Sequence, residues 1–221
     1  MHERCVLLYG PPGSGKTLVG RAIADNFDFT YLSVGEITRN EMASGSRRGE
    51  FIRKCLDEVV EYPSEFIADL VCEHLDKSLS AGIPVVLDGF PKYPNEAGFF
   101  LKKVKDCNIK IDAIIVIDVP LYTAIERISK RRMCGSCLRQ LTLEKEQVPG
   151  TCPTCGGQLI IREDDHNDIV KRRYNDYEQS IKETLALIRT TCDKVEHIDG
   201  SQQGVEVKRI VIAYLRENMP G

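Results

Sequence analysis

No stretch of this 221-residue chain stays apolar for long. The first apolar run, Cys5 to Tyr9, has five residues, and "AIIVIDVPL" is broken by Asp118 and Pro120. A spanning helix needs about twenty apolar residues and a signal-peptide core about seven to fifteen, so neither a membrane span nor a signal segment is expected. An excess of one charge is also missing: Lys and Arg number 30, Asp and Glu 33, for a formal net charge of −3. That balance argues against a mainly electrostatic grip on nucleic acid or on an anionic membrane. Histidine is scarce too. None of the four has partners at metal or catalytic spacing, so His74 and the rest receive no role. Internal repeats and low-complexity segments are absent, apart from a doubled Cys-x-x-Cys. What remains is 42% hydrophobic and 29% charged, the composition of a folded domain with ample core. The expected compartment is the cytoplasm, where thiols stay reduced and disulfides are rare.

Short β-branched runs alternate with helix-length periodic segments. "CVLLY" (5–9), "PVVLD" (84–88), "AIIVIDV" (113–119) and the weaker "KVEHI" (194–198) read as strands buried on both faces. Between them, "EFIADLVCEHLDKSL" puts Phe66, Ile67, Leu70, Val71, Leu75 and Leu79 on one helical stripe. Segments 17–27 and 206–218 are also helical in pattern, and "LKKVKDCNIK" reads as a wet, mildly basic helix face. Strands separated by helices imply an α/β fold of three layers, a parallel sheet with helices on both sides.

The motif with the most chemistry follows the first strand. "GPPGSGKT" satisfies the P-loop pattern: Gly10, Pro11, Pro12, Gly13, Ser14, Gly15, Lys16, Thr17. Its glycines let successive N–H groups face an anion, and the helix behind adds its positive end. Lys16 should reach the β- and γ-phosphates of ATP, and Thr17 should face Mg²⁺. A chance glycine-rich turn is set aside because a strand precedes the motif and a helix follows. Asp88, ending the strand of "VVLDGFPKYPNEA", is placed to hold the magnesium hydration shell.

At "LDGFPK" the chain resembles the nucleoside monophosphate kinases, adenylate kinase above all. "LSVGEITR" (32–39), "ERISKRRMC" (126–134) and "LIIREDDHNDIVKRRYNDY" (159–177) match the same family in the same order. The resemblance implies a P-loop core (1–32, 65–130, 163–221), a helical monophosphate-binding insertion (33–64) and a lid (131–162). It implies transfer of the ATP γ-phosphoryl to a monophosphate by a monomer, with AMP the default acceptor and CMP, UMP or GMP as alternatives. Such transfer is mostly positioning and charge neutralisation. By resemblance, Arg39 and Lys92 hold the monophosphate, with Val34, Gly35, Gly89 and Asn95 lining its site. Arg127, Arg131, Arg162 and Arg173 surround the triphosphate and the moving phosphoryl, Arg162 and Arg173 reaching both nucleotides, and Arg127 also lies against the triphosphate's base. Asp164 and Asp165 pair with lid arginines in the closed form.

The lid explains the doubled clamp. A module of about thirty residues buries too little apolar surface to hold its shape, so a metal or disulfides are expected. Cys134, Cys137, Cys152 and Cys155, with fourteen residues between the pairs, suit a closed four-thiolate site for structural Zn²⁺. Iron or cobalt would also fit, and disulfides or free thiols are the bland alternative. Cys5, Cys55, Cys72, Cys107 and Cys192 lie in apolar segments and read as small core residues.

Four positions depart from the family pattern. Thr17 directly follows Lys16, Lys92 stands where arginine is usual, Val34 replaces a threonine, and Asn95 or Glu96 takes the place of a glutamine. Two other classes of function stay open. One is an ATP-gated zinc module that binds RNA or protein, which the cysteine knuckles allow but the acidic balance weighs against. The other is a degenerate kinase kept as a nucleotide binder, which Val34, Lys92 and the lost glutamine favour.

Overall fold

Alternation decides which way each strand residue faces. In β1 (Glu3–Tyr9), Cys5, Leu7 and Tyr9 join one buried cluster, while Val6 and Leu8 join another on the opposite side. Both sets are buried, so β1 must be covered on two faces. A computed structural model describes residues 3–58, 60–143 and 150–219. Of the expected boundaries, positions 1, 2, 59, 144–149 (within the lid), 220 and 221 lie outside these described residues.

After β1 come α1 (Lys16–Phe27), β2 (Thr30–Ser33), α2 (Val34–Ala43), α3 (Arg47–Asp57), α4 (Ser64–Ser80), β3 (Val85–Asp88) and α5 (Pro94–Asp106). Then follow β4 (Ile109–Asp118), α6 (Leu121–Ser129), β5 (Arg131–Cys134), β6 (Gln140–Thr142) and β7 (Leu159–Ile160). A 3₁₀ turn (Glu163–Asp165), α7 (Asn167–Ile188), β8 (Val195–Asp199) and α8 (Gly204–Asn218) complete the order. Five strands form one parallel sheet in the order β2-β3-β1-β4-β8. Helices α4, α5 and α7 cover one face through Leu70, Leu75, Phe100 and Ile188; α1 and α8 cover the other through Val19, Ile23, Val211 and Leu215. The expected α/β architecture is therefore present. Each fully buried Leu or Ile adds about 1.5–3 kcal/mol of transfer free energy, and truncating Leu7 or Ile114 would also leave a cavity.

Several elements differ from expectation. β2, the four residues "TYLS", was not anticipated because it has neither length nor an apolar run; pairing with β3 creates it. "LKKVKDCNIK" is not one helix face: α5 ends at Asp106, β4 starts at Ile109, and Lys103 is tied to Asp76 at 2.7 Å. The segment expected to form a lid folds into a small antiparallel sheet of its own, β6-β5-β7. Among the described residues, no helix is long and apolar enough to cross a membrane. In a parallel sheet all carboxyl ends lie on one edge, where such folds bind ligands. That edge carries the P-loop after β1, Ser33 at the end of β2, Asp88 at the end of β3, and the start of α6 after β4.

Candidate active site and metal centre

The P-loop works because its glycines do what other residues cannot. Gly13 has φ +79°, and a Cβ there would lie 2.8 Å from the Ala124 carbonyl oxygen of α6. Gly10, at φ +150°, faces the Ile117 carbonyl just as closely. The loop closes with Ser14 N–H donating to the Pro11 carbonyl at 3.2 Å. Lys16 lies across it, its Nζ donating to the carbonyls of Gly10 at 2.6 Å and Pro11 at 3.0 Å. Burial pulls the Lys16 ammonium down to about 8; Asp88 opposes this, while Arg173, Arg131 and Lys92 add to it. The cradle is thus electropositive and ready for a polyanion.

Parallel register brings Ser33 beside Asp88. The Asp88 carboxyl is 5% exposed and accepts a bond from the Tyr31 phenol at 2.5 Å. Burial raises Asp88, while Lys16 and the Tyr31 bond hold it down. Thr17, in the first turn of α1, and Ser33, at the end of β2, belong to the elements that flank this pair. Hard oxygen donors therefore meet at the P-loop's mouth, a set that fits Mg²⁺.

Three of the expected arginines converge. Arg162 grips Asp164 with two prongs, at 2.9 and 2.8 Å, and Arg173 reaches the same carboxylate at 2.5 Å. Arg131, at the start of β5, holds Asp165 with two bonds, one of 2.9 Å. These are the carboxylate pairs expected of a lid drawn onto the core. Burial works against the Asp164 charge, but Arg173, Arg162 and Arg131 outweigh it and bring the carboxyl down to about 2. Arg39 belongs to the same field: burial first, then Arg162, lowers it to about 10. Its guanidinium lies over Gly35, where an added Cβ would be 3.1 Å from Nη1.

Of the residues expected to hold the monophosphate, Val34 opens α2 and packs against the core. Gly89 follows Asp88 with φ +77°, its N–H donating to the Leu8 carbonyl at 3.1 Å. Lys92 donates to the Tyr93 hydroxyl, which in turn donates to Glu61, and the Lys92 ammonium lies 4.4 Å from the Tyr93 ring centroid. Glu96 accepts from the backbone N–H of Lys92 at 2.6 Å and of Tyr93 at 3.3 Å, so its carboxylate caps α5. Asn95 is exposed at the start of α5.

The four lid cysteines come together. Their Sγ atoms all lie within 4.8 Å of one another, with Cys134–Cys155 at 3.4 Å and Cys137–Cys152 at 3.8 Å. Zn–S bonds of about 2.3 Å would set tetrahedral sulfurs about 3.8 Å apart, so the cluster fits zinc closely. The N–H groups of Cys137 and Ser136 point at Cys134 Sγ, both at 3.4 Å. They bring that thiol down to about 6, favouring the thiolate a metal needs. Gly157 leaves room for this packing: a Cβ there would sit 2.9 Å from Cys134 Sγ. No disulfide joins the cysteines.

The adenylate kinase family model matches residues 8–192. The chain belongs to the adenylate kinase family. Among its relatives, the adenylate kinase of Petrotoga mobilis is 30% identical over 214 residues, covering 96% of this chain and 97% of that one. That of Thermococcus onnurineus is 34% identical over 179 residues, covering 80% and 79%. That of Methanothrix thermoacetophila is 34% identical over 198 residues, covering 89% and 91%.

Within this adenylate kinase fold, Arg127 makes its bonds away from the other arginines. Its guanidinium donates to the carbonyls of Ser201 at 3.2 Å and Gln202 at 2.8 Å, and it lines a cavity of about 1090 Å³ with Tyr122, Lys130, Thr142 and Leu143. Motif matching missed Tyr31, Tyr93 and Glu61. Tyr31 directly precedes the matched "LSVGEITR", but only the β2–β3 pairing reveals what it touches. Glu61 meets Tyr93 across 32 positions of chain and carries no local signal.

Proposed function

We propose that this protein transfers the terminal phosphoryl of ATP, reversibly, to a nucleoside monophosphate, with AMP the foremost acceptor. The observation that carries this is the convergence of Lys16, Arg131, Arg162 and Arg173 on one field in a chain of this family. Phosphoryl transfer asks for little else: fixed cations around two phosphate chains, aligned in line, with water kept out. The P-loop N–H groups and Lys16 would bind the triphosphate. Arg131, Arg162 and Arg173 are pre-oriented by Asp164 and Asp165, so they meet the developing charge without first having to be ordered. Arg39 and Lys92 would hold the monophosphate, and the cavity lined by Arg127 has room for the triphosphate's base. No general base is required.

Thr17 and Asp88 would hold Mg²⁺, which when bound neutralises the β- and γ-phosphates. Cys134, Cys137, Cys152 and Cys155 would hold Zn²⁺, which leaves no open position and so stiffens the lid. The core, monophosphate insertion and lid correspond to 1–32 with 65–130 and 163–221, to 33–64, and to 131–162. The cytoplasm suits a reduced thiolate site, and a single chain supplies every group named.

The acceptor base is the point at which a second reading has support. Val34 has no hydrogen-bonding group, Glu96 is taken up by the α5 cap, and Asn95 faces solvent. A site that hydrogen-bonds a base discriminates through such groups. CMP, UMP or GMP is therefore the alternative acceptor class. The test is ADP production from Mg-ATP with AMP, CMP, UMP and GMP in turn. Acceptor-dependent turnover, fastest with AMP, is expected; a faster rate with another monophosphate moves the specificity, and no rate with any of the four overturns the kinase reading.

A further inference from the structure

Tyr31 has no part in the phosphate chemistry above, yet its hydroxyl sits among the groups nearest the P-loop. It donates to Asp88 Oδ2 at 2.5 Å. The bond ties β2 to the end of β3, beside the start of α1. The ring has its own berth. Gly20 on α1 leaves space for it, since a Cβ there would lie 2.3 Å from Tyr31 Cε2 and 2.7 Å from Cδ2. The Arg21 guanidinium covers the ring from 5.4 Å. A hydroxyl needed only to satisfy a buried carboxylate could come from any neighbour. This one is aimed by a dedicated gap in the helix at the carboxylate expected to face the metal.

We propose that Tyr31 is a positioning residue for the divalent cation: its phenol fixes the Asp88 carboxylate in the orientation that receives the ion's hydration shell. This rests on the kinase reading of the site. The physical reason is entropy and geometry. Mg²⁺ demands near-ideal octahedral placement and keeps several waters, so a carboxylate free to rotate holds its hydration shell poorly. Removing the phenol leaves Asp88 with its charge and the ring with its packing, but without the tie.

The test is a titration of ATP into the zinc-loaded protein by calorimetry, once in magnesium-free buffer without chelator and once with saturating Mg²⁺. The ratio of the two affinities measures how well the protein receives the metal, independent of turnover. Tyr31→Phe should leave the affinity without magnesium within about twofold and cut the gain from Mg²⁺ by about tenfold, the size of one hydrogen bond to a charged group. Gly20→Ala, which keeps the phenol but pushes the ring out of its berth, should cut the same gain, and it carries the test if Tyr31→Phe folds poorly. Combining the two should do no more than either alone. An unchanged gain in both variants overturns the proposal. Equal losses with and without Mg²⁺ also overturn it, because Tyr31 would then merely support the nucleotide site. Parent protein that binds no ATP under either condition instead defeats the kinase reading on which the proposal rests.

Discussion

Replacing Asp164 by asparagine removes the charge that holds two arginines while keeping the side chain's shape. Asp164 accepts two bonds from Arg162 and one from Arg173, and their field, with that of Arg131, brings its carboxyl from 3.8 to about 2. The pair is largely withdrawn from water, with side-chain exposures of 28% for Asp164 and 8% for Arg162, so solvent screens it little. The drop from 3.8 to about 2, at about 1.4 kcal/mol per pH unit and trimmed for the part of Asp164 that solvent still reaches, gives about 2 kcal/mol. The sign follows from the direction. A carboxyl lowered by folding stabilises fully above its unfolded value, near 3.8, and loses that contribution as pH falls through about 2. Asp164→Asn should therefore be less stable by about 2 kcal/mol at pH 7, and the gap should close between pH 4 and pH 2. The chain has no tryptophan, so urea unfolding is best followed by far-ultraviolet circular dichroism at pH 7, 5, 4 and 3. A gap that stays the same from pH 7 to pH 3, or one under about 0.5 kcal/mol at pH 7, refutes the assignment of Asp164 as the anchor of the arginine cluster.

Gly13→Ala forces a left-handed φ and a backbone clash, so a stability loss of about 1–3 kcal/mol and ATP binding weakened more than tenfold are expected; ordinary binding by the variant counts against the loop geometry. Lys92→Arg restores a two-pronged grip, and acceptor kcat/KM should rise several-fold; a variant no better than the parent removes the claim that lysine limits the site. A strong chelator should leave the helical core folded while protease cuts the lid between 131 and 162 faster and melting falls; unchanged melting and cleavage would dispose of the structural metal.

Much of this site was legible because its chemistry is local. The P-loop is one strand, one turn and one helix in sequence, and it lies where the pattern put it. The clamp cysteines announce themselves by spacing, and the fold joins them within one small sheet. Asp88 could be read because a strand of four buried residues ends on it. What escaped depends on distant pairing. β2 has too few apolar residues to register alone, and the tie from Tyr31 to Asp88 exists only because β2 runs in register with β3 across 57 positions. Glu96 looked like a candidate for the missing amide, and only the backbone shows it capping α5. The five scattered cysteines read as core filler: Cys5, Cys55 and Cys192 are buried, while Cys72 and Cys107 are only half-buried, at the margins of the packing.

Phosphorus NMR of the protein mixed with Mg-ATP and AMP tests the central claim most directly, because it counts every phosphate in the tube. Two nucleoside diphosphates should appear for each ATP consumed, with no inorganic phosphate, and the signals should run backward to ATP and AMP when ADP is supplied alone. Release of inorganic phosphate, or spectra that never change, would contradict transfer between two nucleotides in a site shut against water.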